Sequence, residues 1–294
     1  MALSAGNFVR LFHPWTQELV AELELGAFSY SLKFDPNGNW LAAGSRDGLL
    51  RIWSVPAILG SVGNGGQTNI ELGPQVMLEA HKKGINSIAF SSDGRVLASG
   101  GSDAVARFWD SASGESLGSV IGGTFVVPGI AFMPHQDTVA VVNGDIVRLR
   151  DINSESILGT FLAETSLYCL AFNPDGSWLA AGGTDNGIRL WEPSQAFRTG
   201  QESYPDPIFL IGHDGQPGGY QALIWQVLFS PDGRLLASAG GDATVRFWDP
   251  INATLLTTLA NHNLAVTSLA FHPDGLALAS GGLDSSVRIW GIIK

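Results

Sequence analysis

One frame of 19 positions, repeated along the chain, constrains this sequence more than any other feature. A phenylalanine is followed 19 positions later by a tryptophan at Phe34–Trp53, Phe90–Trp109, Phe172–Trp191, Phe229–Trp248 and Phe271–Trp290. A sixth copy, Phe132–Arg150, is one residue shorter and carries Arg150 where the tryptophan stands elsewhere. Upstream, the segment ending at Phe12 matches the back half of the unit. The end anchors fall at 12, 53, 109, 150, 191, 248 and 290, so the steps are 41, 56, 41, 41, 57 and 42. The period is therefore near 41, broken by two insertions. Such a period marks a repeat architecture, in which one unit cannot bury its apolar face alone and must stack on the next. Within a unit the runs are short and β-rich: SIAF, VLASGG, VARFW and SLGSVI in the copy around Phe90. The runs are punctuated by Pro36-Asn37-Gly38, Asp93-Gly94, Pro174-Asp175-Gly176, Pro231-Asp232-Gly233 and Pro273-Asp274-Gly275, which suit tight turns. No helical period competes with them.

Each frame ends on a similar tripeptide: Arg51-Ile52-Trp53, Arg107-Phe108-Trp109, Arg189-Leu190-Trp191, Arg246-Phe247-Trp248 and Arg288-Ile289-Trp290. An aspartate precedes each of them, at Asp47, Asp103, Asp185, Asp242 and Asp284. On these residues the chain resembles the WD-repeat (β-transducin-like) family over nearly its whole length. The resemblance implies an all-β fold, a β-propeller of four-stranded blades forming a single domain over residues 1–294. Seven anchors imply seven blades, with an incomplete terminal blade. The first copy begins at its second strand, and the last stops after its third, at Trp290. The alternative is six closed blades in which Glu18–Glu24 supplies the outer strand of the last blade and an extra strand is left outside. An incomplete ring predicts a poorly stable chain, whereas a high, cooperative melting transition favours the closed six.

In this family the turn aspartate is held to bond a histidine, a serine or threonine and the tryptophan indole. Three full sets are present: His81, Ser99, Asp103 and Trp109; His213, Ser238, Asp242 and Trp248; His262, Ser280, Asp284 and Trp290. Where the histidine is missing the serine position is alanine, at Ala43 and Ala181. Loss of both partners together fits a local hydrogen-bond network, because buried polar groups persist only when paired. The arginines two before each anchor (Arg10, Arg51, Arg107, Arg148, Arg189, Arg246 and Arg288) are spread one per blade and read as structural. Cys169, inside LYCLAF, reads as a buried small apolar residue and not as a nucleophile.

The family commonly binds partners through three positions per blade, which lie six and four residues before the repeat phenylalanine and one before the turn aspartate. Period two places the first pair on one side of the strand. Carried onto this chain, the first set is Phe28, Gly84, Val126, Ser166, Leu223 and Ala265. The second is Tyr30, Asn86, Pro128, Tyr168, Trp225 and Thr267. The third is Arg46, Ser102, Thr184, Gly241 and Leu283. Aromatic residues and arginine anchor interfaces. The candidate partner-binding residues are therefore Phe28, Tyr30, Arg46, Tyr168, Thr184, Tyr220, Leu223, Trp225 and Leu283, centred on Tyr30, Arg46, Tyr168 and Trp225. The competing reading is that these aromatics only close the inner rim. Residues three before the phenylalanine (Ser31, Ser87, Gly129, Cys169, Gln226 and Ser268) are expected to face a central channel. None is acidic or histidine, which argues against an enzyme. The insertions Pro56–Gln75 and Pro193–Pro207 are expected on the opposite face, with Phe197, Arg198 and Tyr204 offering a second contact.

Composition closes off other classes. The net charge is −11, and lysine occurs only at 33, 82, 83 and 294, too few to neutralise a phosphate backbone. Nucleic acid and anionic membrane are not expected partners, and no apolar run is long enough to span a bilayer. A single cysteine excludes an intramolecular disulfide, and Met1–Arg10 lacks the long apolar stretch of a signal peptide, so a cytoplasmic chain is expected. No metal or cofactor motif is present. The expectation is a non-catalytic scaffold or sensor that binds other proteins or peptides and is monomeric by itself. A propeller enzyme, or the regulatory portion of a larger signalling chain, is the alternative.

Overall fold

The computed structural model describes residues 1–13, 15–61, 72–121, 123, 125–196, 205–215 and 219–292. Seven small antiparallel sheets follow one another along the chain, each a meander in sequence order. The second, third, fifth and sixth sheets have four strands built around one repeat frame each, and the fourth sheet is built around Phe132–Arg150. The first and seventh sheets have three strands. The fold is thus all-β with seven blades.

The chain divides into two compact units, residues 1–137 and 138–294, and the boundary falls inside the fourth repeat frame. Two apolar clusters of described residues lie in the first unit. One gathers Val9, Leu23, Leu41, Trp53 and Ile58; the other gathers Ile52, Ile85, Ile88, Leu97 and Trp109. The second unit is built likewise, around Ile188, Ile224, Val227 and Trp248, and around Phe247, Val266, Leu269 and Leu278.

The second strands of the frames explain the close stacking inside each unit. Trp40–Ser45, Val96–Gly101, Leu179–Gly183 and Leu236–Gly240 consist mainly of leucine, alanine, serine and glycine and are almost wholly buried. Gly44, Gly100 and Gly182 each face an aliphatic side chain beyond their own sheet. A Cβ built on Gly44 would lie 2.5 Å from Ile85 Cγ2, and one on Gly182 would lie 2.4 Å from Ile224 Cγ2. Small residues there let the next sheet's branched side chain seat fully, as close packing requires.

Two sequence expectations need correction. Leu19–Glu24 does not complete the last sheet, as a closed six-bladed ring would require. It pairs with Phe8–Phe12 as the last strand of the first sheet, with Phe8 opposite Glu24 and Val9 opposite Leu23. Residues 20–23 alternate in burial, which gives that strand a face to bury there. The six-blade alternative therefore fails. Second, both insertions open on a short helix, Val55–Ser61 and Pro193–Ala196, where no helical period was read. One turn or two is too short to imprint a period, and a proline stands in the first turn of each, where its missing N–H costs nothing. Phe197, Arg198 and Tyr204 lie outside the described residues.

Candidate partner-binding surface

The three polar sets form as expected in composition but in a different order. In the third sheet His81 Nδ1 lies 2.8 Å from Asp103, His81 Nε2 lies 2.8 Å from Ser99 Oγ, and the Trp109 indole N–H donates to Ser99 Oγ at 2.9 Å. The same chain of bonds recurs through His213, Asp242, Ser238 and Trp248, and through His262, Asp284, Ser280 and Trp290. The aspartate does not reach the tryptophan; the serine stands between them. In the sixth and seventh sheets this order assigns the tautomer. Nδ1–H donates to the aspartate, so Nε2 accepts the serine O–H, and the serine oxygen accepts the indole N–H. Burial pushes the His81 imidazole below its ordinary range. Burial alone would raise Asp103, but the hydrogen bonds and charges of His81 and Arg107 outweigh it and hold the carboxyl below its usual range.

Asp, His and Ser in bonded series have the connectivity of a hydrolase triad. They are not one, because Ser99, Ser238 and Ser280 are at most 1% exposed and each is already engaged by a tryptophan. A nucleophile needs a substrate within reach. Where the set is incomplete, the tryptophan shows it. Trp53 donates to the Leu72 carbonyl at 3.3 Å instead, and the buried Trp191 Nε1 has no partner among the described residues.

The frame arginines are structural in four sheets, pairing with the turn aspartate four residues earlier: Arg51–Asp47 at 3.1 Å, Arg107–Asp103 at 2.9 Å, Arg189–Asp185 at 2.6 Å and Arg246–Asp242 at 3.2 Å. The residues expected to face a channel have another use. Ser31 Oγ accepts the Ile88 N–H, Ser87 Oγ accepts the Ile130 N–H, and Gln226 Oε1 accepts the Leu269 N–H. Each pins its own strand to the first strand of the next sheet. Cys169 does the same weakly, its S–H donating to the Ile224 carbonyl at 3.5 Å, and burial pushes its thiol up to about 12. Sequence spacing gave no sign of these links, because their partners lie 43 to 57 residues away.

The three candidate positions per blade are brought together by one recurring backbone bond. The residue before the turn aspartate donates its N–H to the residue six before the phenylalanine: Arg46 to Phe28, Ser102 to Gly84, Thr184 to Ser166, Gly241 to Leu223 and Leu283 to Ala265, at 2.8–3.1 Å. The middle position is not presented by simple strand alternation, and that expectation is corrected. Ser29 and Ser31 pair with Ser45 and Gly44, so Tyr30 is skipped in the ladder. The ladders skip Asn86, Tyr168, Trp225 and Thr267 in the same way. Each is a β-bulge, the device that re-aims a side chain out of a sheet beside functional sites.

In the first unit Phe28 and Tyr30 are 55% and 53% exposed, and Arg46 is exposed. The Tyr30 ring and the Arg46 backbone both crowd Gly84, where a Cβ would come 3.3 Å from Tyr30 Cε2 and 3.4 Å from Arg46 Cα. In the second unit Tyr168 and Tyr220 flank Trp225, with ring centroids 5.9 and 5.4 Å from the indole, both tilted toward edge-to-face. Both tyrosines are exposed and the indole between them is half-buried. Thr184 spends its hydroxyl on Thr165 at 2.9 Å. Leu223 is half-buried and Leu283 is 50% exposed; neither has an aromatic partner in these clusters. Among the described residues no group of three His, Cys, Asp or Glu side chains comes together to hold a metal, and no helix is long and apolar enough to cross a membrane.

The family model described as "WD domain, G-beta repeat" matches residues 26–54, 73–110, 155–192, 209–249 and 253–291. Among curated proteins, the chain is 30% identical over 173 residues to the small ribosomal subunit protein RACK1y of Oryza sativa subsp. japonica, covering 55% of this chain and 47% of the relative. It is 26% identical over 220 residues to the serine-threonine kinase receptor-associated protein of Gallus gallus, covering 74% and 54%. It is 28% identical over 187 residues to the cell division cycle 20.1 cofactor of the APC complex of Arabidopsis thaliana, covering 63% and 39%. The matches span about half the length of these relatives or less.

Proposed function

Since the chain belongs to the WD-repeat family, we propose that it is a non-catalytic scaffold or sensor that binds other proteins or peptides through bulged, aromatic positions of its blades. The observation that carries this reading is the coincidence of bulge and aromatic ring, two of the three rings being exposed. Of the five bulged positions, three hold Tyr30, Tyr168 and Trp225, and Tyr220 packs on the last of these. Rigid aromatics bury large area at low entropic cost, which is what an interface anchor needs. Phe28 and Arg46 join Tyr30 as candidates in the first unit; Thr184, Leu223 and Leu283 are further candidates in the second. The relatives whose printed names speak of a ribosomal subunit, a receptor-associated protein and a complex cofactor support an assembly role.

On this reading residues 1–294 act as one domain, monomeric by itself and cytoplasmic, without nucleic acid, metal or cofactor. The charge of −11 supports the exclusion of nucleic acid. The test is affinity purification with quantitative mass spectrometry on the wild-type chain and on Tyr30→Ala and Trp225→Ala. At least one partner is expected to drop about tenfold or more in each variant, with the melting temperature little changed. Partner sets identical in all three proteins would reject the site.

A further inference from the structure

Three cations gather where the second and third sheets meet inside the first unit. The turn at residues 46–48 packs against the segment 81–84. The His81 N–H donates to the Gly48 carbonyl at 3.0 Å, and a Cβ built on Gly48 would fall 2.9 Å from the Lys83 carbonyl oxygen. These backbone contacts set Arg46, Lys82 and Lys83 side by side. All three are exposed, and among the described residues none of their side chains makes a hydrogen bond or an ion pair. The turn carboxylates beside them are engaged elsewhere: Asp47 pairs with Arg51 at 3.1 Å, and Asp103 pairs with His81 and Arg107 at 2.8 and 2.9 Å. Comparison between repeats separates this charge from the fold. A structural residue recurs once per blade, as the frame arginines do. At the position of Arg46 the other copies hold Ser102, Thr184, Gly241 and Leu283. Lys82-Lys83 follow His81, whereas Asp214-Gly215 follow His213 and Asn263-Leu264 follow His262; the matching pairs in the second and fifth sheets are Gly26-Ala27 and Glu164-Thr165. The cluster therefore occurs once, in a chain whose net charge is −11. Two exposed rings border it. The Phe28 carbonyl accepts the Arg46 N–H at 2.8 Å, and the Tyr30 ring crowds Gly84.

We propose that this surface docks an acidic segment of a partner protein, whose aspartate or glutamate carboxylates meet Arg46, Lys82 and Lys83 while an apolar side chain lies on Phe28 and Tyr30. This assignment builds on the partner-binding role proposed for Tyr30 and adds the chemistry of the partner. Arginine offers a planar fork that holds a carboxylate through two N–H bonds, and each lysine acts as a point charge. Cations without internal partners have no ion pair to break before they meet a carboxylate. The two rings supply apolar area that charge alone does not. Complementary charge of this kind speeds encounter and fixes register more than it adds affinity. A nucleic acid fits less well, because the surrounding negative charge repels a long polyanion and three cations neutralise only a short stretch of it.

The full 294-residue chain is titrated with labelled peptides: EEELEEE, its neutral counterpart QQQLQQQ, and SSSLSSS phosphorylated on every serine. Fluorescence anisotropy reads the affinity. EEELEEE is expected to bind saturably, about tenfold or more tighter than QQQLQQQ, and to weaken severalfold between about 0.02 and 0.2 M salt. Arg46→Gln, and Lys82→Gln with Lys83→Gln, are each expected to weaken it about threefold, and all three together about tenfold or more. Arg234→Gln removes one positive charge from an exposed site in the second unit and is expected to leave the affinity unchanged. The substituted side chains hold no bond in the fold, so every variant is expected to melt as the wild type does. Equal binding of EEELEEE and QQQLQQQ, an equal loss with Arg234→Gln, or binding of the phosphorylated peptide alone overturns the proposal. So does tighter binding of a single-stranded oligouridylate that the triple variant loses. None of these results rejects the aromatic surface itself, which falls only if Tyr30→Ala and Trp225→Ala leave the partner sets unchanged.

Discussion

Ser99 joins two side chains that are each costly to leave unpaired. Its hydroxyl is shared between His81 Nε2 and Trp109 Nε1 in a buried site. Ser99→Ala strands both, and an unsatisfied buried polar group costs about 1–3 kcal/mol. Chemical denaturation is expected to show a loss of at least that size, unlike the second sheet, where Ala43 is native and Trp53 has found the Leu72 carbonyl. The same sites make stability depend on pH. Folded His81 titrates below its ordinary 6.5, so the unfolded chain takes up the proton first. The stabilisation it contributes is complete above that value and is lost as pH falls below it. Asp103, Asp242 and Asp284 are likewise held below 3.8, Asp284 first by the Ser286 hydroxyl, and their contribution is lost as pH falls below that value. Denaturation free energies measured from pH 8 downward are expected to fall in two stages, and His81→Gln removes the first. Spacing alone disclosed which residues belong together here. It could not disclose that the serine lies between histidine and tryptophan, since that order depends on side-chain direction across two strands.

The hairpins joining the first and second strands of each frame were legible because their chemistry is local. Gly233 sits at φ +71° in Pro231-Asp232-Gly233, while Asp232 accepts the Ser230 hydroxyl. A Cβ there would also fall 2.4 Å from Asn173 Oδ1. Gly233→Ala is expected to cost about 1 kcal/mol or more, read as a lower denaturation midpoint with unchanged slope. Contacts between sheets were not legible, because they pair residues a whole repeat apart. Gly44 and Ile85 are the sharpest case. Gly44→Ala overpacks the site and is expected to cost about 1–3 kcal/mol. Adding Ile85→Ala is expected to cost less than the two single losses combined, a coupling that a double-mutant cycle measures. The bulges at Tyr30, Tyr168 and Trp225 belong to this class too. A bulge inserts no residue that the sequence marks, and only the pairing register shows which one is skipped.

For the whole molecule, the single-domain reading carries its own test. The boundary between the two compact units cuts the fourth repeat frame between Asp137 and Thr138. Residues 138–294 alone would begin at a strand edge with the preceding part of the frame removed, and exposed edges of that kind aggregate. Calorimetry of the full chain is expected to give one cooperative transition, and the fragment is expected to be insoluble; two separate transitions would show independent domains. The sequence by itself determined the all-β class, the number and order of repeats, the turns and the membership of the polar sets, because each of these is written in spacing and residue type within one repeat. Only the tertiary structure decided that Leu19–Glu24 completes the first sheet and that Tyr168, Tyr220 and Trp225 form one cluster. Those outcomes depend on which strand lies beside which and where its side chains point, and residue type and spacing within one repeat do not specify that.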